Sequence, residues 1–278
     1  MNPSQHLPPR LSVLLAKSVP IAIILARYRA KIFHVVKWNY QDGVVERGSW
    51  FHGALYPDSS DVSFDGRHMV YFALHIAKNQ VSWTAVCEPP FLKALIFWKH
   101  DSTWFGGGTF LDDRTLWVYM KEEKLPRNDA RYIPSKNIQK LYNIEYLDDP
   151  EKDTTPYMKR ITRDGWTKKY IEEHKVVLEK HSSDNKFCLE FHQSGLEKPH
   201  DLRYDLRDVE NDEYCTDIVN EDTTWADWDL NGRLLVASKG ILVTYSANNF
   251  PEPGISLDFN DFTMNPSPAK DLVSGFTS

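Results

Sequence analysis

A tight turn leads directly into an apolar strand in Phe64-Asp65-Gly66-Arg67-His68-Met69-Val70-Tyr71. Asp and Gly tolerate the positive φ angles of a hairpin corner, and the residues after the turn alternate between apolar and polar types as in a half-buried strand. The same pattern recurs in two other places, and a degenerate fourth copy is Arg163-Asp164-Gly165-Trp166. The two other copies are Leu111-Asp112-Asp113-Arg114-Thr115-Leu116-Trp117-Val118 and Leu230-Asn231-Gly232-Arg233-Leu234-Leu235-Val236.

The spacing of these corners indicates a repeat architecture. Counting from Asp65 to Asp112, to Asp164 and to Asn231 gives intervals of 47, 52 and 67 residues. The first two intervals are near the period of about 40 to 50 residues that is typical of propeller blades. We therefore predict an all-β fold of β-propeller-like antiparallel blades over residues 1–278 as a single domain, irregular or few-bladed, with a short helix or irregular insertions.

Several segments outside the repeat carry their own predictions. Two apolar runs, Val19–Leu25 and Ile32–Trp38, predict a hairpin; a helix over residues 11–30 competes, and Pro20 counts against it. Residues 1–10 are expected to be a loose lead, and Tyr170–Lys180 carries a weak helical pattern. The proline-broken residues 250–278 are expected to form an irregular strap in which Leu257, Phe259 and Phe262 cover a sheet edge.

Composition limits the classes of function. The net charge of −6 and the pI near 5.9 argue against a nucleic-acid partner, because such binding normally starts from a basic surface. Three cysteines without a CxxC pair, and ten histidines without zinc-binding spacing, indicate no metal and no cofactor. No apolar run reaches the roughly 20 residues of a membrane span, and no secretory signal is recognisable, so a cytoplasmic location without membrane contact is expected.

Several short segments resemble a family of uncharacterised bacterial proteins with WD-repeat-like, propeller-like blades. The clearest matches cover residues 10–120 and 225–245, and the family brings no biochemical activity with it. Its related blades often carry a serine-proline-aspartate-glycine turn, which here is Ser63-Phe64-Asp65-Gly66 without the proline. The matching segments include Gly48-Ser49-Trp50-Phe51-His52-Gly53, Ser82-Trp83-Thr84-Ala85 and Trp225-Ala226-Asp227-Trp228-Asp229.

Aromatic and glycine residues divide into predicted core and predicted surface positions. Trp38, Trp117 and Trp228 lie within apolar strand patterns and are expected in the core. The Gly106-Gly107-Gly108 run is expected to be a tight corner where two backbone segments approach closely. Four tryptophans beside glycine or polar turn residues are candidates for a binding face; these are Trp50, Trp83, Trp104 and Trp166.

The acidic segment between Glu197 and Glu221 is predicted to be a solvated loop. Its candidate binding residues are Asp205, Asp208, Asp212 and Glu213. With these residues we predict a non-catalytic protein-interaction scaffold whose acidic surface suits a basic protein partner, for example a toxin neutralised by its immunity protein. The oligomeric state is left open.

An enzyme is the alternative that the sequence leaves open. Some propellers are glycosidases that use two carboxylates, one as acid and one as nucleophile or base. The prediction is then a hydrolase acting on carbohydrate or another small polar substrate, with two carboxylates converging in one pocket. The candidates are Asp65, Asp113, Asp164, Asp227 and Asp229.

Overall fold

The residues described in the computed structural model are 7–75, 81–100, 103–121, 132–133, 136–147, 154–172, 175–194, 202–246 and 250–261. They divide into two compact units, one from residues 1–12 and 164–262 and the other from 13–163. The prediction of one domain over 1–278 is not tested by this division. Across the described ranges there are five β-sheets and two short helices.

Three of the sheets lie in the unit of residues 13–163, apart from the first residues of β1, which the division assigns to the other unit. A four-stranded sheet has the order β1-β2-β3-β4, a five-stranded sheet the order β11-β8-β7-β6-β5, and a three-stranded sheet the order β12-β10-β9. β10 and β12 pair in parallel. The strands are β1 (Arg10–Leu15), β2 (Ile21–Arg29), β3 (Ile32–Asn39), β4 (Val45–His52), β5 (Ala54–Val62), β6 (Met69–His75), β7 (Val81–Cys87), β8 (Ala94–His100), β9 (Gly108–Phe110), β10 (Thr115–Val118), β11 (Tyr132–Ile133) and β12 (Asn143–Tyr146).

Two helices complete this unit, α1 (Lys136–Leu141) and α2 (Pro156–Arg163). Pro156 at the first position of α2 has the φ angle that a helix start requires. The Thr155 hydroxyl accepts a hydrogen bond from the Met158 N–H at 3.3 Å, as a capping residue does. Arg160 and Arg163 fix α2 to this unit, because Arg160 donates to the carbonyls of Pro57 and Ser60 and Arg163 binds Asp61.

The other unit contains two sheets with the strand orders β13-β14-β15-β16-β17 and β18-β19-β20-β21. Every pair of neighbouring strands in these two sheets is antiparallel. The strands are β13 (Thr167–Glu172), β14 (Lys175–His181), β15 (Phe187–Ser194), β16 (Leu202–Asp208), β17 (Glu213–Tyr214), β18 (Thr223–Trp228), β19 (Leu234–Ser238), β20 (Ile241–Tyr245) and β21 (Pro253–Asp258).

The predicted fold class is confirmed: the chain is all-β, and its sheets are short, mainly antiparallel meanders of the kind that form propeller blades. The predicted hairpin of Val19–Leu25 and Ile32–Trp38 is β2 and β3, joined at Ala30 and Lys31. The three strongest repeat copies each join two antiparallel strands. These corners connect β5 to β6, β9 to β10 and β18 to β19.

The corner at Ser63 shows how the turn residues act. The Ser63 hydroxyl donates to Asp65 Oδ1 at 2.6 Å and accepts from the His68 N–H at 3.0 Å. Asp65 Oδ1 also accepts from the Arg67 N–H. Burial opposes the shift, but the hydrogen bonds from the Ser63 hydroxyl and then the Arg67 N–H hold the pKa of Asp65 below its usual value. Gly66 has a φ of 67°, a conformation that glycine adopts without cost. The side chains of the turn thus accept hydrogen bonds from backbone N–H groups that have no partner on a neighbouring strand at this point.

The predicted fourth copy is wrong, and the chain contains a different one. Arg163-Asp164-Gly165-Trp166 follows the end of α2, where Gly165 with a φ of 92° ends the helix. The additional corner lies at Ser182–Phe187, between β14 and β15. There the Ser182 hydroxyl donates to Asp184 at 2.7 Å and accepts from the Phe187 N–H at 3.0 Å, and Asn185 has a φ of 57°.

Two further predictions are wrong. The described residues of Tyr170–Lys180 are not helical: they lie in β13 and β14, where β-branched residues such as Ile171 and Val176 pair across the two strands. The C-terminal segment is not wholly irregular, since Pro253–Asp258 forms β21 at the sheet edge, where prolines are tolerated. Phe259 is buried beyond it, as expected of a residue covering an edge. Phe262 and residues 1–6 of the predicted lead lie outside the described residues.

Core positions agree with the sequence patterns. Trp38, Trp117 and Trp228 are buried. The glycine corner is confirmed, because a Cβ on Gly106 would meet the Phe72 ring and a Cβ on Gly107 would meet the Ser59 carbonyl. Such contacts leave room only for glycine.

Candidate functional site

One face of the sheet β13–β17 carries a row of charged side chains. In the register of β14, β15 and β16, Glu179 lies opposite Glu190, which lies opposite Asp205. Side chains two positions along a strand share a face, so His181, Cys188 and Arg207 form a second row beside the first. Three adjacent strands therefore align three carboxylates, and the row beside them contains an imidazole and a thiol that could bind a metal.

The other face of the same strands is apolar. β15 alternates, with Leu189 and Phe191 buried on one side and Glu190 and His192 on the other. The buried side includes an aromatic group in which Phe191 lies 4.9 Å from Tyr204 and 6.3 Å from Trp166 between ring centroids. The apolar face anchors the sheet, and the charged face is consequently fixed in register.

Glu190 is the centre of the charged row, because cations from two other strands meet it. Lys169 Nζ lies 2.6 Å from Glu190 Oε1, and Arg207 Nε lies 3.5 Å from the same oxygen. His192 Nε2 lies 3.5 Å from Glu190 Oε2. The hydrogen bond to Glu190 raises the pKa of Lys169, against the opposing effect of burial. The Glu190 side chain is 4% exposed, so this carboxylate depends on these partners.

Asp205 continues the row toward the sheet edge. Arg203 Nη2 lies 2.8 Å and His192 Nε2 lies 3.1 Å from its carboxylate oxygens. The predicted solvated loop is therefore wrong at this position, since Asp205 is part of β16 and its carboxylate is mostly covered. The alternation in Leu202–Asp208 between apolar and charged residues is the strand signal that the acidic composition concealed.

Beyond β16 the chain forms an exposed turn that we call the acidic hairpin, residues 208–217. It contains five carboxylates and no basic residue. Its short strand β17 is the last in the sheet order, and Glu213 and Tyr214 are both exposed. Of the four acidic residues predicted as binding residues, Asp208, Asp212 and Glu213 lie together here, whereas Asp205 lies in the charged row.

The acidic hairpin is held in shape by its first residue. The Asp208 carboxylate accepts hydrogen bonds from the backbone N–H groups of Glu210 and Asn211 at 3.0 Å, and from the Asn211 side chain. The hydrogen bonds from Asn211 are the largest cause of the lowered pKa of Asp208. Arg207 binds Asp212 at 2.9 Å from the adjoining strand. The hairpin is a preformed surface, and Tyr214, with 53% of its area exposed, is its aromatic residue.

A group of metal-binding side chains lies beside the Ser182–Phe187 corner, where β14 turns into β15. The ligand atoms of Glu179, His181 and Cys188 all lie within 4.8 Å of one another. Cys188 Sγ is 4.0 Å from Glu179 Oε2. Burial raises the pKa of the Cys188 thiol, and the neighbouring carboxylates Glu179 and Glu190 raise it further. A soft sulfur, an imidazole and a carboxylate thus meet at one point of the sheet.

The four tryptophans predicted as a binding face have different surroundings. Trp50 stacks on His34 with centroids 4.3 Å apart, and Trp83 packs edge-on to Phe51 at 5.9 Å. Trp104 is 85% exposed. Trp166 is buried, which corrects its predicted exposure: its Nε1–H donates to Asp227 at 3.3 Å, although the adjacent Gly165 is an exposed turn residue just after the end of α2.

Structural partners account for the positions of Asp65, Asp227 and Asp229, three of the carboxylates considered for hydrolysis. Asp65 and Asp229 each accept hydrogen bonds from backbone N–H groups of their own turns. Asp227 lies 2.6 Å from Lys180 Nζ and accepts from Trp166. Turn geometry and ion pairing account for these positions.

Sequence reasoning missed Glu179, Glu190, Cys188 and Tyr214 as site residues. A usable signal was present in Phe187-Cys188-Leu189-Glu190-Phe191-His192, where strict alternation places Cys188, Glu190 and His192 on one polar face. The register that brings Glu179 and His181 beside them depends on the Ser182–Phe187 corner, which the repeat search did not find.

Comparisons with known proteins were made at three levels. No family matches the chain, and no curated protein matches it, so the resemblance to WD-repeat-like bacterial proteins stays a prediction. Among solved structures, the β-propeller domain of the Trilobed protease from Pyrococcus furiosus, described as having an open velcro topology, is 12% identical with a TM-score of 0.33, covering 89% of this chain and 84% of that one. A structure from a study of two prolyl endopeptidases is 9% identical with a TM-score of 0.27, covering 92% of this chain and 44% of that one. Similarity this low supports no conclusion about activity or partner.

Within the described ranges, neither helix has the length and apolar character needed to cross a bilayer.

Proposed function

We propose that this chain is a non-catalytic interaction protein that binds a basic partner protein through the acidic hairpin. The observation that carries the proposal is the exposed Tyr214 set among Asp208, Glu210, Asp212 and Glu213 on a preformed sheet edge. A tyrosine offers a large contact area with little loss of side-chain entropy, and it is enriched at interface hot spots. The surrounding carboxylates would steer a positively charged partner into contact.

The rigidity of the hairpin supports binding rather than a role as a loose tail. The bonds that Asp208 accepts from its own turn and the ion pair of Arg207 with Asp212 fix these two carboxylates before any partner arrives. A preformed surface loses less conformational entropy on binding than a disordered one. A toxin held inactive by an immunity protein is one partner of this chemistry.

The test is affinity purification from native lysate at low salt with three forms of the chain. One variant neutralises the hairpin with Glu210→Gln, Asp212→Asn and Glu213→Gln. A matched control removes the same charge from exposed residues elsewhere, with Glu46→Gln, Glu88→Gln and Asp113→Asn. We expect a stoichiometric basic partner with the wild type and the control, and its loss with the hairpin variant.

A second variant distinguishes the contribution of the carboxylate charges from that of the tyrosine contact. Tyr214→Ala keeps every carboxylate, and we expect it to weaken the complex by about 30-fold, the loss of an interface hot spot. Recovery of no stoichiometric partner by the wild type contradicts the proposal. So does a partner that is retained by the hairpin variant, or lost equally from the control.

A further inference from the structure

The hairpin of β14 and β15 brings together three side chains that the proposed interaction surface does not use. Glu179, His181 and Cys188 hold their ligand atoms within 4.8 Å of one another. His181 is exposed and Glu179 is half-buried, while Cys188 is buried between them and the next strand. An ion approaching from solvent would meet the imidazole and the carboxylate first and the sulfur last.

The backbone keeps this geometry fixed. The Ser182 N–H donates to the Phe187 carbonyl at 2.8 Å, which makes these two residues a hydrogen-bonded pair. His181 and Cys188, opposite each other one step along the ladder, are therefore a non-hydrogen-bonded pair, the type in which facing side chains come closest. The Ser182–Asp184 bond locks the corner beyond them. The ligands need little reorganisation to close on an ion.

The donor set selects the kind of metal. A thiolate and an imidazole favour zinc and similar transition metals over calcium or magnesium, which prefer oxygen ligands alone. Three protein ligands with an open fourth position are typical of zinc sites that also hold water or an exogenous ligand. We propose that Glu179, His181 and Cys188 bind one zinc ion.

The neighbouring charges are compatible with a cation at this point. Arg207 lies opposite Cys188 in the register, but its guanidinium binds Asp212. Lys169 Nζ lies 3.9 Å from Glu179 Oε2. It is bonded at 2.6 Å to Glu190 instead, and this leaves Glu179 able to turn an oxygen toward the metal. Glu190, opposite Glu179 in the register, adds a covered negative charge next to the ion.

The test uses the full chain without a histidine tag. Zinc chloride is titrated calorimetrically, and Co²⁺ is added separately as a spectroscopic probe, because a thiolate ligand gives a near-ultraviolet charge-transfer band. The variants are Cys188→Ser and His181→Ala. The matched controls are Cys215→Ser, a less buried thiol of the same unit, and His52→Ala, an exposed imidazole on β4. Circular dichroism confirms that each variant is folded.

We expect one zinc per chain and a Co²⁺–thiolate band in the wild type and in both controls. Cys188→Ser should abolish the band, and His181→Ala should weaken zinc binding by at least about tenfold, since changing even an outer residue of a metal site costs that much. His181 is exposed, so its removal tests the site even if Cys188→Ser fails to fold. Absence of binding by the wild type, or zinc affinity unchanged in His181→Ala, overturns the proposal.

Discussion

Two covered carboxylates, Asp61 in one unit and Glu190 in the other, illustrate different uses of the same chemistry. Asp61 is 1% exposed, and its oxygens accept hydrogen bonds from the Thr109 hydroxyl and the Phe110 N–H, each at 2.8 Å. Arg163 adds a two-pronged ion pair at 2.6 and 3.2 Å. Its other partners are a short hydroxyl and a backbone N–H, and Arg163 is itself tied to the backbone through the Phe110 carbonyl. The group is therefore closed and fastens α2 to its sheets.

Glu190 is almost as well covered, but its partners are long side chains that other acids share. Lys169, with 39% of its side chain exposed, also approaches Glu179; His192 also binds Asp205; and Arg207 also binds Asp212. These cations can exchange one carboxylate for another. The difference suggests that a buried ion pair with backbone partners serves stability, whereas a shared network at a sheet face can rearrange for a ligand.

Removing the charge of each carboxylate in turn is expected to have the largest effect on stability and to distinguish the two. Asp61→Asn leaves Arg163, 12% exposed, without its anion, and we expect a loss of about 3–5 kcal/mol in the free energy of unfolding, as for broken buried pairs. Glu190→Gln should lose only about 1–3 kcal/mol, because its cations keep other carboxylates or water. Urea unfolding in the presence of a chelator measures both.

The control for Asp61→Asn lies on the same strand. Asp58 is exposed on β5, and Asp58→Asn should change stability by no more than about 0.5 kcal/mol. A loss from Glu190→Gln as large as that from Asp61→Asn would mean that the charged row is as closed as the Asp61 group, and the contrast between the two carboxylates would fail.

A buried imidazole in the unit of Asp61 provides a pH-dependent test. Burial, with a smaller contribution from Arg47, lowers the pKa of His34 from 6.5 to about 4, and the ring stacks on Trp50. Between these values the unfolded chain binds a proton that the folded chain does not, so this contribution to stability is complete above pH 6.5 and is lost as the pH falls toward 4. The loss should reach about 3 kcal/mol.

Replacing the imidazole isolates its contribution. His34→Phe keeps a ring against Trp50 but cannot titrate, so the difference in unfolding free energy between variant and wild type should change by about 3 kcal/mol across that pH range. Urea unfolding at a series of pH values gives this difference. A constant difference from pH 7 to pH 4 would show that His34 accepts a proton in the folded state as readily as in the unfolded one.

The sequence predicted local geometry better than it predicted sites. Asp65-Gly66 and Asn231-Gly232 identified hairpin corners because glycine and short polar side chains determine a turn through their own backbone. The charged row could not be predicted in the same way. Glu179, Glu190 and Asp205 are 11 and 15 residues apart in sequence, and they align only through the register of three strands.

Composition misled where strand pattern was informative. The acidic composition of residues 197–221 suggested a solvated loop, but alternation with Leu202, Tyr204 and Leu206 places Arg203, Asp205 and Arg207 on one face of β16. The prediction that Trp166 is exposed was wrong for a related reason. The glycine beside it follows the end of a helix, and a glycine in that position does not show that the next residue is exposed. Residues 195–201 of the predicted insertion lie outside the described residues.

Replacing the corner serines Ser63 and Ser182 is expected to have the smallest effect on stability. It tests whether the two units differ in the strength of their turns as well as in the partners of their covered carboxylates. Ser63 and Ser182 make the same two hydrogen bonds, one to the aspartate two positions ahead and one from the N–H five positions ahead. Ser63→Ala and Ser182→Ala should therefore each cost about 1–2 kcal/mol of unfolding free energy, because each leaves a backbone N–H without its acceptor. Urea unfolding measures both losses. If the two variants lose the same unfolding free energy, the two corners contribute equally, and the difference between Asp61 and Glu190 comes from the partners of each carboxylate. If only Ser63→Ala loses stability, the Ser182 hydrogen bonds do not stabilise their corner. Other contacts would then have to fix the register of β14 and β15, on which the charged row and the proposed zinc ligands depend.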